Sequence, residues 1–310
     1  MSLDQPVSFD RIAIIGLGLL GGSIGLAVRE YLPGATTTGY DILPGHRSSA
    51  TARGLVDRVC ETAAEAVRDA QLVIFCVPPG VMGDAAREVA EALPDGVLIS
   101  DVGSCKQSIA RGLAEALPGR AIIPAHPVAG TENSGPEAGF ASLFRNRWCI
   151  LTPEADADAG LLARLAAFWE ALGANVEQMS AEHHDRVLAV TSHLPHLIAY
   201  TIVGTASDLE EVTRSEVIKY SAGGFRDFTR IAASDPTMWR DVFMANKDAV
   251  LEMLQRFTED LTALQRAIRV GDGDTLFDHF ARTRAIRRSI IAEGQDDARP
   301  DFGRSDHVGS

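Results

Sequence analysis

Length, composition and charge set the first limits on this chain. It has 310 residues, enough for about two domains, and 46% of them are hydrophobic, which is enough for a sizeable core. A formal net charge of −13 argues against nucleic acid or an anionic membrane as the main partner, but a locally basic pocket still permits a small anionic substrate. No apolar run has the ~18 residues of a membrane span, and the first residues do not resemble a signal peptide. We therefore expect a cytoplasmic protein.

Cysteine usage indicates free thiols. The four cysteines form no C-x-x-C pair and have no histidine in zinc-ligand spacing: Cys60, Cys76, Cys105 and Cys149. We expect a reducing compartment and no bound metal.

The first half of the chain alternates short apolar runs with alanine-rich helical patterns. The apolar runs are 11–15, 36–40, 72–77, 97–102, 121–125 and 147–153. This alternation predicts an α/β Rossmann domain, a doubly wound parallel sheet, over residues 1–178.

A glycine motif directly follows the first predicted strand. Gly16, Gly18 and Gly21 form G-x-G-x-x-G, in which the first allows a tight turn, the second lets a pyrophosphate approach and the third lets helix and strand pack closely. Leu19 and Leu20 open the helix, whose first amides and positive dipole end suit phosphate. The motif predicts a dinucleotide site.

An acidic residue indicates which dinucleotide binds. Asp41 ends the second predicted strand, 20 residues after Gly21, where a carboxylate accepts hydrogen bonds from the ribose hydroxyls. It would also repel a 2′-phosphate, which favours NAD over NADP. His46 and Arg47 lie close behind and keep NADP open.

Three segments follow predicted strands at the sheet edge where ligands of such folds bind. They are Pro78-Pro79, Asp101-Val102-Gly103-Ser104 and residues 126–132. We expect Val77, Pro78 and Asp101 to contact the cofactor.

His126 is the candidate base. It precedes Pro127, which favours an extended backbone and would place the imidazole at a strand tip facing the nicotinamide. Oxidising an alcohol requires removal of the hydroxyl proton as the hydride leaves, and histidine suits that role near neutral pH. The alternative is a loop histidine with structural hydrogen bonds.

Strand signals end near residue 180, so we predict an all-α domain over residues 179–310, with a disordered tail from about 294. Ala181–Ser207 is predicted as one long helix containing Pro195. Ser192 and His196 are four residues apart and share a face. There are two alternatives to a functional role for this face. One is a pair of surface histidines beside a tolerated proline, and the other is a zinc pair, for which no further ligand is evident.

A second helical motif covers residues 223–239. Its glycine pair predicts a turn before a short helix, and Asp235-Pro236 predicts the start of the next helix. Asp227 and Arg230 are three residues apart and can pair. A rigidly held Arg230 suits carboxylate recognition, whereas the alternative is a surface ion pair of little energetic value.

Together these motifs resemble the prephenate/arogenate dehydrogenase family of tyrosine biosynthesis. The resemblance covers about residues 10–290. It is carried by GLGLLGGSIG at 16–25, DVGS at 101–104, HPVAGTENSG at 126–135, SHLPH at 192–196 and GGFRDFTRIAASDPTMW at 223–239. The resemblance implies NAD-dependent oxidative decarboxylation of prephenate to 4-hydroxyphenylpyruvate, and a homodimer formed through the helical domain.

The resemblance also implies a role for each site residue. His126 would take the hydroxyl proton and Ser104 would orient that hydroxyl. Arg230 would bind a substrate carboxylate. The remaining expected substrate contacts are Ser192 and His196 from the helical domain, Glu132 and Asp227 at the pocket mouth, and Thr131.

Other functions remain open at this point. Arogenate, which carries an amino group where prephenate has a keto oxygen, is the nearest rival, because Glu132 would favour an ammonium; dual use is also open. A β-hydroxyacid dehydrogenase would use a lysine on the long central helix, and residues 180–218 contain none. A non-catalytic NAD sensor would not need His126, Ser104, His196 and Arg230 together.

Overall fold

The computed structural model describes residues 9–131, 133–208 and 223–292. Glu132 and the tail predicted to be disordered lie outside these residues. The chain divides into two compact units, one ending at Leu251 and one beginning at Glu252.

The first unit is built on a six-stranded parallel sheet, which confirms the predicted doubly wound fold. The order is β3-β2-β1-β4-β5-β6. The strands are β1 (Arg11–Ile15), β2 (Thr36–Tyr40), β3 (Arg58–Val59), β4 (Leu72–Phe75), β5 (Leu98–Asp101) and β6 (Ala121–Ile122). Strand order reverses between β1 and β4, so a crevice for a ligand opens at their carboxyl ends.

Helices cover both faces of this sheet. They are α1 (Leu19–Tyr31), α2 (Pro44–Arg53), α3 (Ala63–Val67), α4 (Met82–Val89) and α5 (Lys106–Ala116). Successive side chains of a strand point to opposite faces, so Ile14 joins one buried cluster with Ile24 of α1, while Ile15 joins another with Met82 of α4. The sheet is therefore buried on both sides, as its near-continuous apolar strands predict.

Two predicted strands do not lie wholly within the parallel sheet. The run 121–125 breaks after β6, and its end forms β7, antiparallel to β8, which pairs in parallel with β9. These strands are β7 (Ala125–Pro127), β8 (Trp148–Leu151) and β9 (Asn175–Gln178), and α6 (Ala159–Ala171) connects the last two. Pro124 has no N–H to donate to a ladder, which accounts for the break. Placing 121–125 and 147–153 wholly in the parallel sheet was therefore wrong.

The helix predicted over Ala181–Ser207 is interrupted. It consists of α7 (Ala181–Leu188), one π-helical turn (Ala189–His193) and α8 (Leu194–Ser207). Pro195 lies in the first turn of α8, where its missing N–H is tolerated, and the wider π turn absorbs the irregularity that a proline imposes on a continuous helix. Such turns are frequent at functional sites.

By length and composition this helical segment could cross a membrane. The same segment also carries three buried polar side chains, those of His184, Asp185 and His193. Each of them forms a hydrogen bond to a protein group.

The rest of the described chain is helical. It comprises α9 (Gly223–Thr229), a 3-10 turn (Arg230–Ala233), α10 (Pro236–Ala245), α11 (Lys247–Val270) and α12 (Gly273–Ala292). Asp235 caps α10 as predicted, its carboxylate accepting from the Met238 amide at 2.9 Å. The glycine pair lies inside α9, not in a turn before it.

Candidate active site

The glycine loop is shaped by two close approaches between backbone segments. Gly16 has φ +99°, and a Cβ there would lie 2.5 Å from the Cys76 carbonyl oxygen. A Cβ on Gly21 would lie 1.9 Å from the Gly16 oxygen. Both positions therefore require glycine, for the reasons that the sequence motif gives.

The loop fits a dinucleotide phosphate. Gly18 is the N-cap of α1 with no side-chain cap, and a Cβ there would meet nothing within 4 Å. Among the described residues, no side chain accepts from the first amides of α1, including those of Leu19 and Leu20, and a pyrophosphate would supply an acceptor. The side chains of these two leucines pack against the core.

Asp41 anchors the same loop. Its carboxylate accepts from the amides of Leu17 and Leu43, both at 2.9 Å, and lies 3.1 Å from His46 Nδ1. Arg47 donates to the Asp41 carbonyl rather than to the carboxylate. The acid expected to bind ribose is therefore held at the end of β2, beside the glycine loop.

Asp101 lies in a different environment from the one expected. It is fully buried, and its carboxylate accepts from the ammonium of Lys106, which is also fully buried, and from the Gly103 amide at 2.7 Å. It therefore has no surface to offer a cofactor. Lys106 also donates to the Ala125 carbonyl at 2.7 Å. This ion pair fixes the strand that carries His126.

His126 lies within β7, where it pairs with Ile150. Its backbone is extended, as predicted, and the residue is 8% exposed. Nδ1 lies 2.8 Å from His184 Nε2. Burial, with help from the nearby charges of His184 and Lys106, holds the pKa of His126 well below its usual range. The ring is therefore neutral near pH 7, as a base must be.

Two residues of α7 complete this cluster. His184 Nδ1 lies 2.9 Å from the Asp185 carboxylate, and that carboxylate also accepts from the amides of Lys106 (2.7 Å) and Gln107 (3.0 Å). The sequence analysis missed both residues. Apart from their contact with each other, they are 58 or more positions from the groups whose hydrogen bonds are described above, and they form no spaced motif that could reveal them.

His193 borders the same cluster. It is fully buried, with Nδ1 3.1 Å from Asn246 Nδ2, and its ring lies close to the backbone of Ser104. Burial lowers its pKa to about 4. Its charge would also lower the pKa of His126. The π turn, the loop after β5 and β7 therefore meet at one place, which brings the Ser104 segment towards His126.

His196 is held in a fixed orientation. Its Nδ1 lies 2.8 Å from the Ser192 carbonyl oxygen, and its ring stacks on Trp239 with centroids 3.6 Å apart. Because a carbonyl only accepts, Nδ1 carries the proton and Nε2 is left as an acceptor. Burial lowers the pKa of His196, and the nearby Arg230 lowers it further. The structure thus brings Ser192, His196 and Arg230 together, and it adds Trp239.

The other expected substrate contacts are less defined. Arg230 is exposed at the start of its 3-10 turn, and the ion pair recorded for Asp227 is with Arg226 at 3.4 Å. Thr131 is exposed, and its hydroxyl accepts from the Asn133 amide at 3.2 Å.

The loop after β4 lies beside α10. Val77 is half-buried and Pro78 exposed, and a Cβ on Gly80 would lie 2.6 Å from an Asp241 carboxylate oxygen. The loop expected to contact the cofactor therefore touches the helix that carries Trp239. Within the described ranges, no group of three or more His, Cys, Asp or Glu side chains could hold a metal ion.

Comparison with known proteins decides the family. Residues 24–178 match the nucleotide-binding domain of prephenate dehydrogenase, and residues 180–282 match its dimerization domain. The chain belongs to the prephenate dehydrogenase family. The resemblance drawn from the motifs is thereby confirmed.

Individual relatives agree with this assignment. A cyclohexadienyl dehydrogenase from Zymomonas mobilis is 46% identical over 91% of this chain and 96% of its own length. A prephenate dehydrogenase from Bacillus subtilis is 34% identical over 91% of this chain and 76% of its own. The crystal structure of Aquifex aeolicus prephenate dehydrogenase with hydroxyphenyl propionate and NAD+ is 32% identical, with a TM-score of 0.85, over 92% of this chain and all of the other.

Proposed function

We propose that this member of the prephenate dehydrogenase family is a cytoplasmic enzyme of tyrosine biosynthesis. It uses NAD to convert prephenate into 4-hydroxyphenylpyruvate and CO2. The observation that carries the proposal is His126, a neutral and nearly buried histidine whose strand is fixed by a buried ion pair. The glycine loop and Asp41 support NAD, as does the NAD+ in the related Aquifex aeolicus structure.

The reaction balances around His126. NAD, held by the glycine loop and Asp41, would supply the acceptor for the hydride that leaves the ring carbon bearing the hydroxyl group. His126 Nε2 takes the hydroxyl proton, and the O–H electron pair forms the carbonyl. Loss of the ring carboxylate as CO2 then returns an electron pair to the ring, which becomes aromatic, and the phenolate oxygen recovers its proton from His126. No net proton is released, so His126 holds a proton only during turnover.

Recognition of the substrate falls to the helical side of the site. Prephenate is a dianion, and Arg230 supplies a cation close enough to His196 to lower its pKa. The Trp239 ring beneath His196 keeps that imidazole in place. Ser104 would orient the reacting hydroxyl. The remaining proposed contacts are Ser192, Thr131, Glu132 and Asp227.

Dual activity on prephenate and arogenate is the second candidate. The relative from Zymomonas mobilis is named for the cyclohexadienyl ring that both compounds share. That name favours a site that is more selective for the ring and its carboxylate than for the keto or amino group of the side chain.

The test is NADH absorbance with purified protein, NAD, and prephenate or arogenate in parallel. We expect reduction with prephenate, and the ratio of the two rates measures the preference for the side chain. Absence of reduction with either compound, in a protein that binds NAD, would refute the proposal.

We also propose a homodimer formed through the helical region, which the match to a dimerization domain supports. Large apolar side chains are exposed on the second unit, as a partner surface requires: Leu261, Ile268, Phe277, Phe280 and Ile286. Sedimentation at several concentrations measures the mass, and a monomer at micromolar concentration would contradict this proposal.

A further inference from the structure

We infer that His184 and Asp185 form a relay with His126 that selects which His126 nitrogen is free and stabilises the proton held there during turnover. This inference rests on the proposed function, in which His126 is the base. Both residues act through His126 and are positioning residues.

The relay is a continuous buried chain of hydrogen bonds. His126 Nδ1 lies 2.8 Å from His184 Nε2, and His184 Nδ1 lies 2.9 Å from the Asp185 carboxylate. The exposed fractions are 8% for His126, none for His184 and 1% for Asp185. Water competes little with these bonds, so each group is oriented by the next.

The carboxylate determines every proton position in this chain. An ionised carboxylate only accepts, so His184 must donate to it from Nδ1–H. His184 Nε2 is then an acceptor, and His126 must donate to it from its own Nδ1–H. The lone pair of His126 is thereby left on Nε2. Among the described contacts, Nε2 forms no hydrogen bond, so it is the atom available to a substrate hydroxyl.

Asp185 is kept ionised by the start of α5. Burial raises the pKa of this carboxyl, but bonds from His184 and from the Lys106 and Gln107 amides outweigh burial and lower it. Those amides begin an 11-residue helix whose N-cap residue, Cys105, provides no side-chain cap. The open amides and the helix dipole both favour a negative charge at this point.

Of the titratable groups around the histidine pair, Asp185 is the one placed to stabilise a charged His126, because the others are cationic, neutral or already paired. The Lys106 ammonium lowers the pKa of both His126 and His184 and is itself paired with Asp101. The other titratable groups that face the cluster are His193 and the thiols of Cys105 and Cys149. Burial raises the pKa of both thiols, so they are neutral. Asp185 is the carboxylate hydrogen-bonded to the histidine pair.

The proposed reaction explains why such a relay is useful. When His126 Nε2 takes the substrate proton, the ring becomes an imidazolium in a buried site, which is unfavourable without a counter-charge. Asp185 supplies that charge through His184, much as the acid of a Ser-His-Asp triad does for its histidine. Returning the proton to the phenolate restores the neutral ring.

The test compares Asp185→Asn and His184→Gln with the native enzyme. We expect kcat to fall by about 100-fold or more in both variants, with KM for prephenate changed much less. In Asp185→Asn the acid limb of the kcat/KM profile should move to lower pH, because the imidazolium loses its counter-charge. A purely structural role would leave that limb in place.

Three controls keep the outcomes distinct. His183→Gln alters the exposed neighbour of His184 and should retain native kcat. His184→Gln leaves the carboxylate on the α5 amides, so it tests the relay if Asp185→Asn fails to fold. NAD binding and melting temperature identify folded variants.

Two negative results have different meanings. Absence of prephenate-dependent NADH in the native protein refutes the proposed function. A native enzyme that loses activity in His126→Asn but keeps its kcat and acid limb in both relay variants refutes only the relay.

Discussion

At the residue scale, His126 determines how activity depends on pH. A base must be neutral to accept a proton, and burial lowers the pKa of His126 below its usual value of about 6.5. We therefore expect kcat/KM to stay level as pH falls through about 6.5 and to decline only in more acidic solution.

His126→Asn should keep NAD binding but lower kcat by about 100-fold or more. Near-native turnover of this variant would remove His126 from the role of base.

Arg230 should act on binding rather than on the chemical step. Arg230→Ala removes the cation proposed for a substrate carboxylate, and we expect KM for prephenate to rise by about 10- to 100-fold with a smaller change in kcat. Arg256→Ala is a suitable control, because Arg256 is exposed and pairs with Glu252 within one helix. Steady-state kinetics provide both constants, and an unchanged KM would show that Arg230 does not hold the substrate.

Asp41 should set the choice of dinucleotide. Asp41→Ala removes the charge that repels a 2′-phosphate, so the preference for NAD over NADP should decrease, as the ratio of the two kcat/KM values will show. Because Asp41 also accepts from Leu17 and Leu43, alanine perturbs the loop as well. Asp41→Asn removes the charge and retains an acceptor. If neither variant changes the ratio, the assignment of Asp41 is wrong.

At the element scale, different glycines of the strand–loop–helix unit at residues 11–31 serve folding and cofactor binding. Gly21→Ala would place a Cβ 1.9 Å from the Gly16 oxygen, so we expect a clear loss of melting temperature. Gly18→Ala meets no protein atom and should keep its stability but bind NAD more weakly. Gly34→Ala, where a Cβ also meets nothing, is the control. Equal effects of the Gly18 and Gly21 variants on stability would contradict this separation.

The elements also show how far sequence patterns reach. The glycine loop, Asp41 and the parallel strands follow from local patterns, because each depends on residues near it in the chain. Pro124 is visible in the sequence, but its consequence, a strand leaving one sheet for another, depends on where β8 lies. The π turn before Pro195 likewise depends on packing rather than on the proline alone.

The residues of the candidate site also fall into two groups, those that local patterns predict and those that only the fold brings together. The sequence motifs and the family resemblance predicted roles for His126, His196 and Arg230, whereas the positions of His184, Asp185 and Lys106 needed the fold. Their contacts are long-range, and a buried lysine or aspartate is indistinguishable in sequence from a solvated one. Asp101 was found at the correct strand end, but its burial against Lys106 was not predicted, since a pattern does not reveal that partner.

At the scale of the whole molecule, the buried histidines predict acid sensitivity. His126, His184, His193 and His196 all have a pKa lowered by burial, for His193 to about 4. Above about 6.5 the folded and unfolded states are both neutral at these positions. As pH falls from there towards 4, the unfolded state binds more protons, so the free energy of unfolding decreases. Below the lowered pKa values the loss levels off.

Urea unfolding from about pH 7 to about pH 5 measures this effect, with each histidine contributing up to about 1.4 kcal/mol per pH unit. His193→Gln removes one of these groups and should make the decline shallower. A free energy of unfolding that stays constant over this interval would mean that the histidines are not held neutral in the folded protein.

The boundary between the two family regions, at residues 178–180, does not separate the groups that act together on the proton. His126 lies on one side of it, while the carboxylate that orders its protons lies on the other and also caps α5. A fragment ending at Gln178 would keep the glycine loop and Asp41, but its His126 could change tautomer and α5 would begin with two open amides. Recombining this nucleotide-binding region with a foreign helical partner would therefore transfer cofactor binding without the ordered base. The two family regions are separate in sequence, but both are needed to fix the position of the proton on His126.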